Sequence, residues 1–500
     1  MSLSTQEPTE SKRLSYFRNW VSLTGAIIAG GSLFAFALLV AMNLFSASGN
    51  PYLGILTYVV SPIFLIGGLF LVLAGWWWQR RQSLRNPGLA RTAQSLSIDF
   101  SRPRDRKVLF IFGSASIVFL LLTAFGSYQT YHFTESVEFC GKTCHTVMEP
   151  EFSTYQRSAH ARVACAECHI GGGASFYVKS KISGAYQIYS VTFKKYQTPI
   201  PTPVENLRPA QDTCEKCHWP QKFTGNIDRS YEHFLSNKAN SAHTVRLLLH
   251  VGGGKAAQGH FTGIHWHVNK DTKIEYFSDD PKRQVIPWVR VTSKDGTEQI
   301  FKSPDFKGEP EADKIRRMDC IDCHNRPAHV SQTANQGIEE QMAAGKVNLA
   351  LPKFKSVAVQ AISKEYPDKD SAMKGIAEAL TAKYGKAEGL EAAIVAAQTV
   401  YTQNFFPLMK ADWRGYPNNI GHKDWPGCFR CHDNKHVATT GAKTQTLKAG
   451  DCNTCHTIIA QGKGEDLLKL APKGLEFKHP EGELDPELLC SDCHNGGIQK

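Results

Sequence analysis

Hydropathy divides the 500-residue chain into two unlike parts. Before residue 132, three apolar runs at 20–45, 52–78 and 108–131 contain no Lys, Arg, Asp or Glu. Each exceeds the roughly 20 residues that a helix needs to cross ~30 Å of hydrocarbon. Trp76, Trp77, Trp78, Tyr128 and Tyr131 stand at their ends, where amphipathic rings favour the headgroup layer. Three membrane helices are therefore predicted within residues 20–131. The first run is too long for the apolar core of a signal peptide and no cleavage site follows it, so it reads as an uncleaved helix.

Beyond residue 132 the periods change. Residues 245–302 alternate in short strand-like runs at 274–277 and 286–292, with a Lys294-Asp295-Gly296 turn before Ile300. Residues 335–405 are Ala-rich, and at 375–384 and 387–401 the apolar positions fall three or four apart, which predicts helix. Because that segment has neither Cys nor His, it reads as a spacer. The remainder is predicted as loops and short helices, with bound cofactors supplying much of the apolar core. The expected fold is thus three N-terminal membrane helices followed by a mostly α/loop domain with a small β-rich insert and a helical insert. Its segments are 1–19, a cytoplasmic N-terminus; 20–131, the membrane domain; 132–220, a first module; 221–330, β-rich; 331–410, helical; and 411–500, a C-terminal module.

Charge fixes the orientation. The formal net charge is +11, but it is concentrated near the membrane runs. Residues 1–18 carry three basic side chains against two acidic ones, and the loop 79–107 carries eight against two. Nothing in that distribution points to nucleic acid. Arg80, Arg81, Arg85, Arg91, Arg102, Arg104, Arg106 and Lys107 place the loop in the cytoplasm by the positive-inside rule. Three crossings then put everything after Tyr131 on the opposite side, which in a bacterial inner membrane is the periplasm.

The cysteines name the chemistry. Cys165-Ala-Glu-Cys168-His169 is a C-x-x-C-H, the attachment pattern of c-type haem. Two thiols one turn apart can bond a haem's vinyl groups, and the following His then binds the iron. The pattern recurs at Cys214, Cys217 and His218; Cys320, Cys323 and His324; Cys428, Cys431 and His432; Cys452, Cys455 and His456; and Cys490, Cys493 and His494. Cys140-Gly-Lys-Thr-Cys144-His145 has one extra residue between its thiols. Seven motifs use all 14 cysteines, so no thiol remains for a disulfide or for a tetrahedral zinc site. Seven covalent haems are expected, with periplasmic attachment agreeing with the charge argument.

Twelve of the 19 histidines lie outside the motifs. A second axial His leaves iron coordinatively full and suited to electron transfer. Candidates near motifs are His160, His329, His422 and His436, the last two flanking Cys428. His265 and His267, in Gly-Ile-His-Trp-His, read as an alternating strand with both rings on one face. His243, His250, His260 and His479 carry a weaker signal. No motif ends in Lys, and no dinucleotide fingerprint, P-loop or HExxH is present. The chain is built to carry electrons.

Quinol oxidation at a membrane surface needs an acceptor within reach of the bilayer, a proton acceptor and a donor to the quinol oxygens. The first motif begins nine residues after Tyr131, with His132, Glu149 and Glu151 close in sequence. CGKTCHTVMEPEF, SAHARVACAECH, VKSKISG and PTPVENLRPAQDTCEKCHWP resemble the NapC/NirT family of membrane-anchored multihaem quinol dehydrogenases over roughly 110–220. The later CHNRPAH and NNIGHKDWPGCFRCHDNKH segments resemble longer seven-haem inner-membrane cytochromes of metal-respiring bacteria. The resemblance implies that the first haem accepts electrons from menaquinol or ubiquinol, with Met148 as an axial ligand and Lys179 or Lys181 beside the quinol. This chain differs from simple members in its longer first motif, in Met148 lying three residues after His145, and in three predicted membrane helices. The acidic residue expected after the Lys is not evident, and Glu149 or Glu151 are the replacements considered.

The function expected is an inner-membrane quinol dehydrogenase that passes electrons through seven haems to a soluble periplasmic cytochrome or reductase. The alternative is a non-catalytic haem wire and lipid-embedded anchor for a partner reductase.

Overall fold

A computed structural model describes most of residues 19–497, excepting 46–60, 86–99, much of 105–134, and shorter stretches that include 144, 171–173, 205–207, 253–262, 441–442 and 449–451. Two compact units result: Met1–Glu135 with Gly172–Ser183, and Ser136–Gly171 with Gly184–Lys500.

In the first unit, α1 (Trp20–Phe45) and α2 (Ser61–Arg85) pack along their length. The buried positions are small: Ser22, Gly25, Ala29 and Ser32 on α1, and Ser61, Gly68 and Gly75 on α2. A Cβ added at Gly68 would lie 2.6 Å from the Ala29 nitrogen, and one at Gly25 2.6 Å from the Gly68 oxygen. Close backbone approach is what small residues permit between helices in lipid. The serine hydroxyls donate across the seam, from Ser61 to the Ser32 carbonyl at 2.7 Å and from Ser22 to the Val72 carbonyl at 3.1 Å. Large apolar groups face outward instead, among them Phe34, Ile66, Phe70, Trp77 and Trp78. A helix pair that buries serine and exposes phenylalanine is inside out for water and correctly faced for hydrocarbon.

Of the three expected spans, the second is helical from Ser61 and continues to Arg85, past the expected end at 78. Among the described residues one helix, Ile63–Gln82, is long and apolar enough to cross a membrane, with a shorter apolar stretch at Trp20–Phe36. The third run, 108–131, falls largely outside the described residues.

The second unit opens with a π-type turn, Phe139–Thr143, and α3 (His145–Gln156). The next long helix in the chain is α4 (Ala174–Thr192). Two antiparallel sheets follow. The smaller has the order β1-β2-β9, with β1 Ile227–Phe234, β2 Ala242–Leu249 and β9 His456–Gly462. The larger has the order β6-β3-β4-β5-β7-β8, where β3 is Thr272–Phe277, β4 Trp288–Ser293, β5 Glu298–Lys302, β6 Arg316–Arg317, β7 Val437–Thr440 and β8 Lys443–Thr446. Both sheets therefore join strands from 221–330 to strands from 411–500. The alternation at 274–277 forms β3, and Gly296 takes φ +84° in the turn between β4 and β5.

Residues 331–410 supply α5 (Ala334–Ala343), α6 (Phe354–Ile362), α7 (Lys369–Tyr384) and α8 (Leu390–Asn404). Ile338, Phe354, Ile362, Ile376 and Leu380 are fully buried between them. The bundle is pinned to β1 by a buried ion pair. Lys355 Nζ lies 2.8 Å from Glu339 Oε1 and donates to the Phe234 carbonyl, and His233 Nδ1 lies 3.1 Å from Glu339 Oε2. Burial pushes the Glu339 carboxyl up, but His233 and Lys355 hold it down at about 2.

Replacement of Gly68 by Leu should overpack the seam against the Ala29 backbone and cost about 1–3 kcal/mol. Gly67→Leu, where an added Cβ meets nothing within 4 Å, should be tolerated. Thermal denaturation of the two variants in detergent checks this, and equal midpoints would refute the seam.

Candidate haem-iron sites

Six of the motifs form a single short turn. Short α-helices form at Cys165–His169, Cys320–Cys323 and Cys490–Cys493, and 3-10 turns at Cys214–Lys216, Gly427–Arg430 and Cys452–Thr454. The His N–H closes the turn on the first Cys carbonyl, at 2.8 Å for His218, His324 and His494 and at 3.1 Å for His432. The longer first motif instead opens on a wider π-type turn, Phe139–Thr143, which takes up one extra residue. Its Gly141 sits beneath the Phe152 ring, where a Cβ would clash.

Opposite six motif histidines lies a second imidazole. His169 faces His329 with ring centres 6.2 Å apart, His218 faces His160 at 6.0 Å, and His324 faces His265 at 6.3 Å. His432 faces His267 at 5.9 Å, His456 faces His422 at 6.1 Å, and His494 faces His479 at 6.1 Å. A metal–imidazole bond is about 2 Å and the ring centre lies about 1 Å behind the nitrogen, so one iron between two rings needs roughly 6 Å. The spacing is too wide for stacked rings in contact and fits that iron. Among the described residues no group of three or more His, Cys, Asp or Glu could hold a bare metal ion. The pairs suit a cofactor that brings its own four equatorial nitrogens.

Hydrogen bonds select the nitrogen. Nδ1 lies against a backbone carbonyl in His160 (Pro327, 3.1 Å), His265 (Val251, 2.7 Å), His267 (Ile264, 2.8 Å) and His329 (Glu151, 3.0 Å). Donation from Nδ1 leaves Nε2 as the bare nitrogen, the form that ligates metal. Burial, joined by the facing imidazole at His169, His324 and His432, holds those rings below their ordinary pKa. At His422 burial and His456 push it down to about 4. A lowered pKa favours the neutral ring, the form that can ligate metal.

Several sequence expectations change. His265 and His267 lie on a single 3-10 turn, Ile264–Val268, and not on a strand. With three residues per turn, their rings diverge and meet two different motifs. His422 flanks Cys428 in sequence yet faces His456 of the following motif. His160 precedes Cys165 yet faces His218, and His329 follows His324 yet faces His169. His436 has no nitrogen left for iron: Nδ1 lies 2.9 Å from Asp433 Oδ1 and Nε2 2.6 Å from the Ile286 carbonyl. It is a buried cross-link between β7 and the approach to β4. His479, a weak candidate by sequence, faces His494; no spacing signal marks it, since it lies eleven residues before Cys490.

The candidates around motif 1 are dispersed by their contacts. Glu149 Oε1 lies 2.5 Å from Lys369 Nζ. Glu151 sits 3.4 Å from Arg326 and 3.1 Å from His329 Nδ1, so it orients His329. Lys179 is exposed on α4, which also carries Lys181. His145 and Met148 are three residues apart on α3, and positions at that spacing share a helix face.

Residues 102–208 match the NapC/NirT cytochrome c family, N-terminal region, and residues 305–457 match cytochrome c7 and related cytochrome c. The chain is 40% identical over 506 residues to cytochrome c-type protein ImcH of Geobacter sulfurreducens, covering 97% of each. It is 31% identical over 94 residues to cytochrome c-type protein NrfH of Wolinella succinogenes, covering 18% of this chain and 52% of that protein. No solved structure matches significantly.

His436→Leu should leave the number and spectrum of the haems unchanged while taking the ring donor from the Ile286 carbonyl, at a cost of about 1–3 kcal/mol. Visible spectra and thermal denaturation of the variant separate this from a ligand role, in which one haem would turn high-spin.

Proposed function

The chain belongs to the ImcH-like multihaem c-type cytochromes with a NapC/NirT N-terminal region, membrane-anchored electron-transfer proteins that carry covalent haem c, and from that footing we propose that it is a quinol dehydrogenase. It would oxidise menaquinol or ubiquinol at the outer face of the inner membrane and deliver electrons to a soluble periplasmic cytochrome or reductase, its N-terminus being cytoplasmic. In this reading all seven motifs hold haem, which when bound relays one electron at a time.

The observation that carries the reading is the set of six imidazole pairs. In each pair the motif histidine and the facing imidazole would together hold the iron, which would leave no ligand position for a substrate. Chemistry on a substrate is thereby directed to motif 1, the motif nearest in sequence to the apolar runs. There His145 would be the ligand that the motif itself supplies, with Met148 near or on the iron, as the family resemblance implies. An ammonium on α4, from Lys179 or Lys181, would donate to a quinol oxygen as negative charge develops on it. Glu149, ion-paired and partly exposed, is better placed than Glu151 to take a proton, since Glu151 is committed to His329.

Intact mass of the denatured protein should show seven haem additions, and purified protein in nanodiscs should be reduced by a menaquinol analogue. Lys179→Ala combined with Lys181→Ala should slow that reduction with the haem spectrum intact, whereas Met148→Leu should alter one haem alone. Absence of any quinol-driven reduction in fully loaded protein would leave the haem-conduit reading in place of the enzyme.

A further inference from the structure

The turn Ile264–Val268 supplies imidazoles to two motifs that are more than a hundred residues apart, those at Cys320 and Cys428. We propose that this turn and Arg430 form a two-sided clamp that fixes the fourth haem site against the fifth. The clamp would be the joint between the N-terminal and C-terminal groups of haems. This inference rests on the reading of the imidazole pairs as axial ligands.

On the distal side, His265 lies parallel to His324 within 2°, while His267 stands at 79° to His432. The two rings leave one turn in different directions, as a three-residue repeat demands. Their hydrogen bonds make the turn stiff. His265 Nδ1 is held by the Val251 carbonyl and His267 Nδ1 by the Ile264 carbonyl, at 2.7 and 2.8 Å. The Ile264 and His265 amides donate to the His250 and Gly252 carbonyls at 2.8 and 3.2 Å. Gly263 enters the turn at φ +107°, and a Cβ there would lie 2.6 Å from the His250 oxygen, so no other residue takes this path without displacing β2's end. Trp266, between the two histidines, packs on the core of the larger sheet.

On the thiol side, Arg430 sits inside the fifth motif, between Cys428 and Cys431, and is 9% exposed. It donates from Nη2 to the Asp322 carbonyl of the fourth motif at 2.8 Å, from Nη1 to the Arg283 carbonyl at 2.9 Å, and from Nε to the Gly427 carbonyl at 2.8 Å. Asn419 Nδ2 donates to the same Asp322 carbonyl at 2.9 Å. The Asp322 carboxylate is in turn held by Tyr276, Arg283 and Arg316 at 2.6, 3.3 and 2.9 Å. The two motifs are therefore stapled to each other and to the larger sheet. Electron exchange falls steeply with separation, so residues that lock this distance act as positioning residues for transfer. A guanidinium with all its forks on carbonyls cannot be replaced by an apolar side chain without loosening the staple.

The test uses the full-length, haem-loaded protein in nanodiscs. His265→Ala and His267→Ala should each convert one haem from low to high spin, with added imidazole restoring it, and the double variant should show two high-spin haems. Arg430→Leu should keep the full haem mass and the low-spin spectrum. Rapid reduction by a quinol analogue should then split into two phases, the second several-fold slower than the parent's single phase. Only one high-spin haem in the double variant, or unchanged single-phase reduction in a fully loaded Arg430→Leu protein, would overturn the clamp. Failure of the parent itself to show low-spin iron would instead sink the ligand reading on which it rests.

Discussion

A gap of about six ångströms between two imidazoles is the constraint on which the second unit depends. It must be held six times, between rings 15 to 165 residues apart in the chain. Two neutral rings have no attraction strong enough to fix that spacing, so the surrounding backbone does it. Carbonyls of Pro327, Val251, Ile264 and Glu151 orient four of the rings through Nδ1. Such second partners set ring rotation and ligand basicity together.

Regular structure serves as the frame for these gaps. The larger sheet borrows β7 and β8 from the C-terminal segment and the smaller one borrows β9, whose first residue is the motif histidine His456. Asp322 shows the cost and its remedy at one point. It is 2% exposed, and a buried carboxylate is stable only when its oxygens are paired; a tyrosine and two arginines meet it. The same residue caps the turn of the fourth motif, accepting from the Asp319 amide at 2.8 Å. Sheet packing and haem attachment thus share a hydrogen-bond network.

The membrane unit obeys another rule. Water gives no drive to bury apolar groups between helices in lipid, so α1 and α2 meet through glycine, alanine and serine and leave their large side chains outside. Three-four spacing of the small residues on α1 and seven-residue spacing on α2 bring the backbones together.

The composition and spacing of the chain alone disclosed the chemistry that is covalent or local. Seven thiol pairs with their adjacent histidines, the apolar runs and the basic loop are contiguous patterns, and short-range geometry suffices to read them. The helices of 331–410 and the strand at 274–277 were legible for the same reason, since each periodicity repeats within a few residues. Tertiary structure decided which ring faces which motif. Proximity in sequence picked out His160, His329 and His422 without saying which motif each faces, suggested His436, which bonds Asp433 and Ile286, and undervalued His479. The two histidines of Gly-Ile-His-Trp-His were read as one strand face, yet the 3-10 turn sends them apart. A facing pair is a contact across space between residues up to 165 apart, His267 and His432. Nothing in a linear pattern records such a pairing, because it exists only once the sheets and helices have set the distance between the rings.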